Sequence, residues 1–282
     1  MLAVELAEIL SADDVHDIVG LTLSSYDRLA HFEMAFVSFV SPMTAQAFDQ
    51  LIDFRQTNRR FDSERAVPDG VIEKGIRHAT LAPNSSNMQL WEFHWVQDAE
   101  MKKQLVRLCL GQMAAHSAAE LVVFVTRRDR WKERVAWHKA WIDQDVAKGA
   151  DRGVKQRRQY YGTLMPLVYR RDWFRLSTLV RRVTSWAMSR NKPMYRFGGR
   201  ASQRVMVHKS CALAAQNFMM SMASEGLSTC PMEGFDEPRV KRLLKLSRGA
   251  EVNMVIAVGY GTEKGIWNER RRVSMDDVLR RH

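Results

Sequence analysis

Four short stretches of this 282-residue chain hold side chains suited to gripping an anion or a polar heterocycle. In FRQTNRRF, Phe54 to Phe61, Arg55, Thr57 and Arg59 follow a helical segment and can converge on a phosphate. The guanidinium forks give charge-assisted pairs and the hydroxyl a short bond. In APNSSNMQLWEF, Ala82 to Phe93, the Asn and Ser side chains offer both donors and acceptors. In CPMEGFD, Cys230 to Asp236, Pro231 and Gly234 bracket a turn that can hold Glu233 in an unusual conformation and expose a backbone N–H. In NERRRVS, Asn268 to Ser274, three successive arginines stand near the C-terminus. Taken singly, each has an ordinary alternative: a solvated basic turn, an Asx-rich connection, a plain turn, a basic tail.

The patterning says which elements must position them. Apolar residues at three- and four-residue steps (Leu2, Leu6, Ile9, Leu10) predict one or two helices in residues 1–40, read as an N-terminal extension of the main 41–282 domain. Thr44 can cap a helix running through Phe48, Leu51 and Ile52 into Phe54, which would deliver FRQTNRRF from its C-terminal end. Pro68 opens another helix, ending just before the polar stretch. Glu92 to Asp98 alternates like a strand. AELVVFVTRR and EVNMVIAVGYG read as buried strands because their apolar runs are short and β-branched. Residues 131–165 read as helical and polar, with Trp131, Trp137 and Trp141 on a loose stripe. KSCALAAQNFMMSMASEGL is an apolar helix closed by Gly226 as a left-handed C-cap. This helix-rich alternation suggests α+β or α/β.

Several function classes are disfavoured. No run of about 18 uncharged apolar residues occurs, so a transmembrane helix is not expected. The N-terminus carries acids where a secretion signal carries basic residues, and Cys109, Cys211 and Cys230 form no C-x-x-C pair; both features suit the reducing cytoplasm. The net charge of +11 suggests nucleic acid, but the stretch from Arg170 to Arg204 alone carries +9 and leaves the rest at +2, so no nucleic-acid partner is expected. GYGTEKG, Gly259 to Gly265, misplaces its third glycine for a dinucleotide-binding turn. His78, His94, His116, His138 and His208 share no metal-ligand spacing, and no serine sits in a G-x-S-x-G elbow.

The order and spacing of the four motifs are more specific than any one of them. An early R-x-T-x-R-x-F, then A-P-N-S-S-N-x-Q-x-W, then T-C-P-M-E-G-F-D after an apolar helix, then V-G-Y-G and a closing arginine resemble the FMN-dependent nitroreductase family, over roughly Phe48 to Leu279. The resemblance implies an α+β fold with a central, mostly antiparallel sheet flanked by helices, and an intertwined homodimer with FMN at each interface. Arg55, Thr57 and Arg59 match the motif holding the phosphate, ribityl chain and pyrimidine edge, with Gln56 inside it. Pro83, Asn84, Ser85 and Asn87 match the segment that reaches the flavin from the partner subunit. Glu233 and Gly234 match the turn whose N–H faces flavin N5, and Arg270 and Arg272 the C-terminal phosphate grip. Gln112 sits near a position where the family uses an amide. Leu90, where proline is usual, and Val273-Ser274, in place of Leu/Pro, depart from the pattern without removing a ligand-binding group.

The implied activity is a ping-pong reaction: NADPH or NADH reduces the flavin at N5, and a nitroaromatic or quinone then takes the electrons, with Arg59 stabilising the reduced flavin. Two other branches of the superfamily share the early arginines and the Ser/Asn loop: reductive dehalogenases and flavin-fragmenting enzymes. The basic stretch at about 170–204 stands out as an insertion, with Trp173, Leu176, Val180 and Val183 on one face. It reads either as an active-site lid or as an amphipathic surface for anionic lipid.

Overall fold

In the computed structural model, residues 44–149, 152–169, 186, 189–190, 193 and 199–282 are described. The extension at 1–40 and most of the 170–204 insertion, with Trp173, Leu176, Val180 and Val183, lie outside them. The chain from Gln46 onward forms one compact unit.

Helix α1, Ala45–Phe54, begins directly after Thr44. Helix α2, Val71–Thr80, starts three residues after Pro68, because Gly70 at φ 77 leaves the helical region just before it. Strand β1, Trp91–Trp95, is followed by helices α3, Ala99–Leu108, and α4, Met113–Ser117. After strand β2, Glu120–Thr126, comes a helical excursion: α5, Trp131–Ala147; α6, Val154–Gln159; one turn of π-helix, Tyr160–Leu164; and α7, Met165–Tyr169. The long α8, Arg200–Ser224, leads into strand β3, Ser228–Met232, helix α9, Glu237–Leu243, strand β4, Glu251–Gly259, and the short α10, Met275–Val278.

The four strands lie in the order β1-β2-β4-β3, every pair antiparallel. Strand period decides the layers. Leu121, Val123, Val125, Val255 and Ala257 face α3, α4 and α9 in one core. Val122, Phe124, Met254, Ile256 and Val258 face α2 and α8 in the other. Both faces are covered, which is why β2 and β4 read as continuous apolar runs although the sheet is antiparallel. Helix α8 ends as its sequence predicts: Gly226 at φ 73 lets its own N–H reach Ala223 O at 3.0 Å and the Leu227 N–H reach Met222 O at 2.9 Å.

At one end of the sheet a buried ion network ties β1 to β2. Arg127 is 7% exposed, donates to Glu92, and forks onto Asp129 at 3.1 and 3.0 Å. Burial alone would raise the Glu92 and Asp129 carboxyls; the Arg127 hydrogen bonds and charge outweigh it and hold both below the usual range. Burial holds the His94 and His138 imidazoles below their ordinary 6.5. These shifts give stability a two-step acid dependence. Between 6.5 and the lower folded values, the unfolded chain binds protons at His94 and His138 that the folded chain refuses, so stability falls as pH drops through that window. A second loss follows below about 4.5 as Glu92 and Asp129 take protons first in the unfolded state. Urea unfolding at a series of pH values from 8 to 3.5 checks this; a flat response between 7 and 5 counts against the histidines.

Candidate functional site

The FRQTNRRF stretch leaves the C-terminus of α1 and is stitched to the open edge of β3. Thr57 forms a parallel bridge with Thr229, and Asn58 N–H donates to Thr229 O at 3.2 Å. From the other side, Arg59 N–H donates to Gly265 O at 2.9 Å. The Arg59 guanidinium lies 4.6 Å from the Trp267 ring centre, a cation–π contact, and its charge acts on the Cys230 thiol. Residues 55–57 and Arg59 thereby form one wall of a cleft of about 440 Å³ whose other wall is the run 266–272.

Five arginines line it: Arg55, Arg59, Arg270, Arg271 and Arg272. Burial, together with the charges of Arg270 and Arg272, pushes the Arg55 guanidinium below its usual range. The nearby counter-charge is slight: Glu269 on the cleft wall is exposed, and Asp53, 3.6 Å from Arg270, is 84% exposed at its side chain. Arg270 is less free than its place in NERRRVS suggests. It donates to the carbonyls of Ile52, Asp53 and Arg55 at 3.2, 2.6 and 3.0 Å, satisfying the orphan acceptors at the C-terminus of α1. Arg272 donates to Arg271 O at 2.7 Å.

The organiser of this wall is Asn58, a residue the motif reading passes over. It is 2% exposed, accepts from Arg60 N–H at 3.0 Å and donates to Thr262 O at 2.9 Å. Two glycines make room for it. A Cβ on Gly265 would lie 1.8 Å from Asn58 Oδ1, and one on Gly261 2.4 Å from its Nδ2. The glycines of GYGTEKG, without meaning as a dinucleotide-binding turn, are therefore spacers for a buried amide. Their four-residue spacing after a strand was the available signal.

The CPMEGFD stretch departs from expectation. Cys230 and Pro231 belong to β3 itself, and neither Glu233 nor Gly234 has positive φ. Pro231 is tolerated because Thr229 turns its backbone groups outward to Thr57, and residues two and four further along share that outward direction. Its missing N–H thus faces away from β4. Gln112 meets this stretch, donating through Nε2 to Gly234 O at 2.6 Å and Cys109 O at 3.0 Å. Burial pushes the Cys109 and Cys211 thiols up to about 12 and raises Cys230, so none is a thiolate nucleophile near neutrality.

Pro83, Asn84, Ser85 and Asn87 do not line the cleft. The unusual backbone is here instead: Ser86, Asn87 and Gln89 have φ of 56°, 47° and 48°. Asn84 closes the loop by accepting from Gln89 N–H at 2.8 Å. Among the described residues no helix is long and apolar enough to cross a membrane, and no group of three or more His, Cys, Asp or Glu is placed to hold a metal ion.

Both the fold and the chain's own sequence have relatives. A solved structure from Exiguobacterium sibiricum, assigned as a nitroreductase and determined in complex with FMN, superposes with a TM-score of 0.60 at 17% identity, covering 86% of this chain and 100% of that one. Protein DrgA of Synechocystis is 26% identical over 210 residues, 74% of this chain and 81% of that protein. MhqN of Bacillus subtilis, assigned as an NAD(P)H nitroreductase, is 22% identical over 213 residues, 75% of this chain and 87% of its own length. The profile of the nitroreductase family matches residues 52–260, and the chain belongs to that family.

Proposed function

We propose that this protein is an FMN-dependent oxidoreductase that uses NADPH or NADH to reduce nitroaromatic or quinone-type acceptors. One observation carries the reading: five arginines line one cleft against a single acid, the exposed Glu269, and the half-buried Arg55 is held below its ordinary pKa by burial and by the charges of Arg270 and Arg272. A phosphate dianion there would offset that repulsion. The donor set fits FMN: guanidinium groups from Arg55 and Arg272 for the phosphate, the Thr57 hydroxyl and Gln56 amide for the ribityl chain, and Arg59 for the pyrimidine edge. Arg270 contributes its charge while its nitrogens anchor α1.

When bound, FMN supplies the two-electron chemistry that joins NAD(P)H oxidation to acceptor reduction. The chain supplies orientation and charge. Arg59, held at both its amide and its guanidinium, places a fixed cation where negative charge builds up. Gln112 fixes the peptide following Gly234, and the amide N–H groups of Glu233 and Gly234 would serve the N5 edge of a bound flavin. Proton supply falls to water, which reaches the cleft along its exposed wall of Trp267, Asn268, Glu269 and Arg271.

The site is completed by a second copy. Helix α1 buries none of its residues, and Phe48, Ile52 and Phe54 are 50%, 39% and 49% exposed. A homodimer that covers this face also brings Pro83, Asn84, Ser85 and Asn87 of the second copy to the cleft. Phe48→Asp is expected to shift sedimentation from dimer toward monomer and to release flavin in parallel; an unchanged dimer would remove α1 from the interface.

The direct test is spectroscopic. The purified protein should be yellow, bleach with NADPH without air, and regain colour on adding a nitroarene. A colourless protein that cannot be reconstituted with FMN overturns the reading.

A further inference from the structure

The loop from Asn84 to Gln89 holds three non-glycine residues in the left-handed region, and such strain persists only where the surroundings over-determine it. Its surroundings are unusual. The helical excursion between β2 and α8 reaches it with three side chains. The Tyr160 hydroxyl shares a hydrogen bond with Ser86 Oγ at 2.7 Å. The Tyr161 hydroxyl donates to Ser86 O at 3.1 Å. His138 Nε2 lies 2.8 Å from Asn87 O, and because a carbonyl only accepts, that nitrogen carries the proton and donates. His138 is 6% exposed and stacks on the Tyr161 ring at 3.9 Å with the planes 10° apart. The adjacent pair Tyr160 and Tyr161 opens the turn of π-helix, whose wider winding recurs at functional sites.

We infer that His138, Tyr160 and Tyr161 are positioning residues for the flavin: they hold Ser86 and Asn87 in the strained geometry from which this loop meets FMN in the partner's cleft. The inference rests on the proposed function, in which Asn84, Ser85 and Asn87 are flavin ligands. It adds that the excursion acts as a clamp. Three bonds converge on two consecutive residues at positive φ, while the aromatic stack fixes the donors. A loop needed only as a connection could relax to ordinary backbone angles without them.

The test compares the wild type with Tyr160→Phe, Tyr161→Phe, His138→Ala and His138→Gln. The phenylalanine variants keep the ring packing and remove one hydroxyl each, so folding is preserved. Deuterium uptake at residues 85–89 should rise about 5-fold in each, the effect of losing one hydrogen bond. The FMN dissociation constant, read by flavin fluorescence, should rise about 5-fold for each Phe variant and about 10-fold for His138→Ala. His138→Gln, which retains a donor, should restore most of the affinity. The visible band of bound flavin should shift in the variants, a signature that general destabilisation does not produce. If the wild type binds FMN while affinity and spectrum are unchanged in every variant, the clamp is refuted and the proposed function stands. A wild type that binds no FMN overturns the proposed function and the inference that rests on it.

Discussion

Arg55→Ala is expected to raise the FMN dissociation constant about 100-fold, the consequence of losing a charge-assisted, bidentate contact of about 2–3 kcal/mol. Arg55→Lys should recover only part of it, because an ammonium keeps the charge but not the planar fork. The apoprotein should respond in the opposite sense. Arg55 sits under the combined charge of Arg270 and Arg272, so its removal relieves repulsion in the flavin-free protein. The melting temperature without FMN should therefore stay level or rise, while the increment that FMN adds should shrink. That crossing pattern separates a ligand-binding arginine from a structural one. Fluorescence titration and paired melts provide the check, and an affinity within about 3-fold of the wild type would remove Arg55 from the phosphate site.

Asn58→Ala is expected to cost about 3 kcal/mol of folding stability, since it leaves the Arg60 N–H without its partner, takes one of two donors from the Thr262 carbonyl and opens a buried void. Gly265→Ala should be comparably harmful from the other side. Its methyl would have to displace both Asn58 Oδ1, 1.8 Å away, and the Arg60 amide nitrogen, 2.6 Å away. The two changes strike one contact, so the double variant should lose less than the sum of the singles. Flavin affinity should fall with stability in all three, because Asn58 sets the path of the chain between Thr57 and Arg59. Urea unfolding and flavin titration measure both effects. A stable Asn58→Ala protein that still binds FMN normally would show that this wall is held by the backbone bridges alone.

The two predictions differ in how far the residues announced themselves. Arg55 stands out in FRQTNRRF because charge and spacing are visible in one dimension. Asn58, in the same stretch, gives no such signal; its importance comes from Thr262 and Gly265, about two hundred residues away. Gln112 was placeable only loosely, and its bond to Gly234 spans 122 residues, from the start of α4 to the end of β3.

The sequence alone determined the family, the buried strands β2 and β4, the close of α8 at Gly226, and the arginines at both walls of the cleft. Those are local matters: hydrophobic period, turn chemistry and residue type act over a few neighbours. Only the tertiary structure decided that Pro231 lies in an edge strand, that Glu233 and Gly234 avoid positive φ, and that Ser86, Asn87 and Gln89 gather three left-handed residues in one loop. It also decided that Arg270 anchors α1 and that Tyr160, Tyr161 and His138 close on the polar loop. The physical reason is common to all of these. Backbone strain, edge position and the use of a donor depend on which groups meet across the fold, and those meetings are set by packing around the two faces of the sheet rather than by neighbours along the chain.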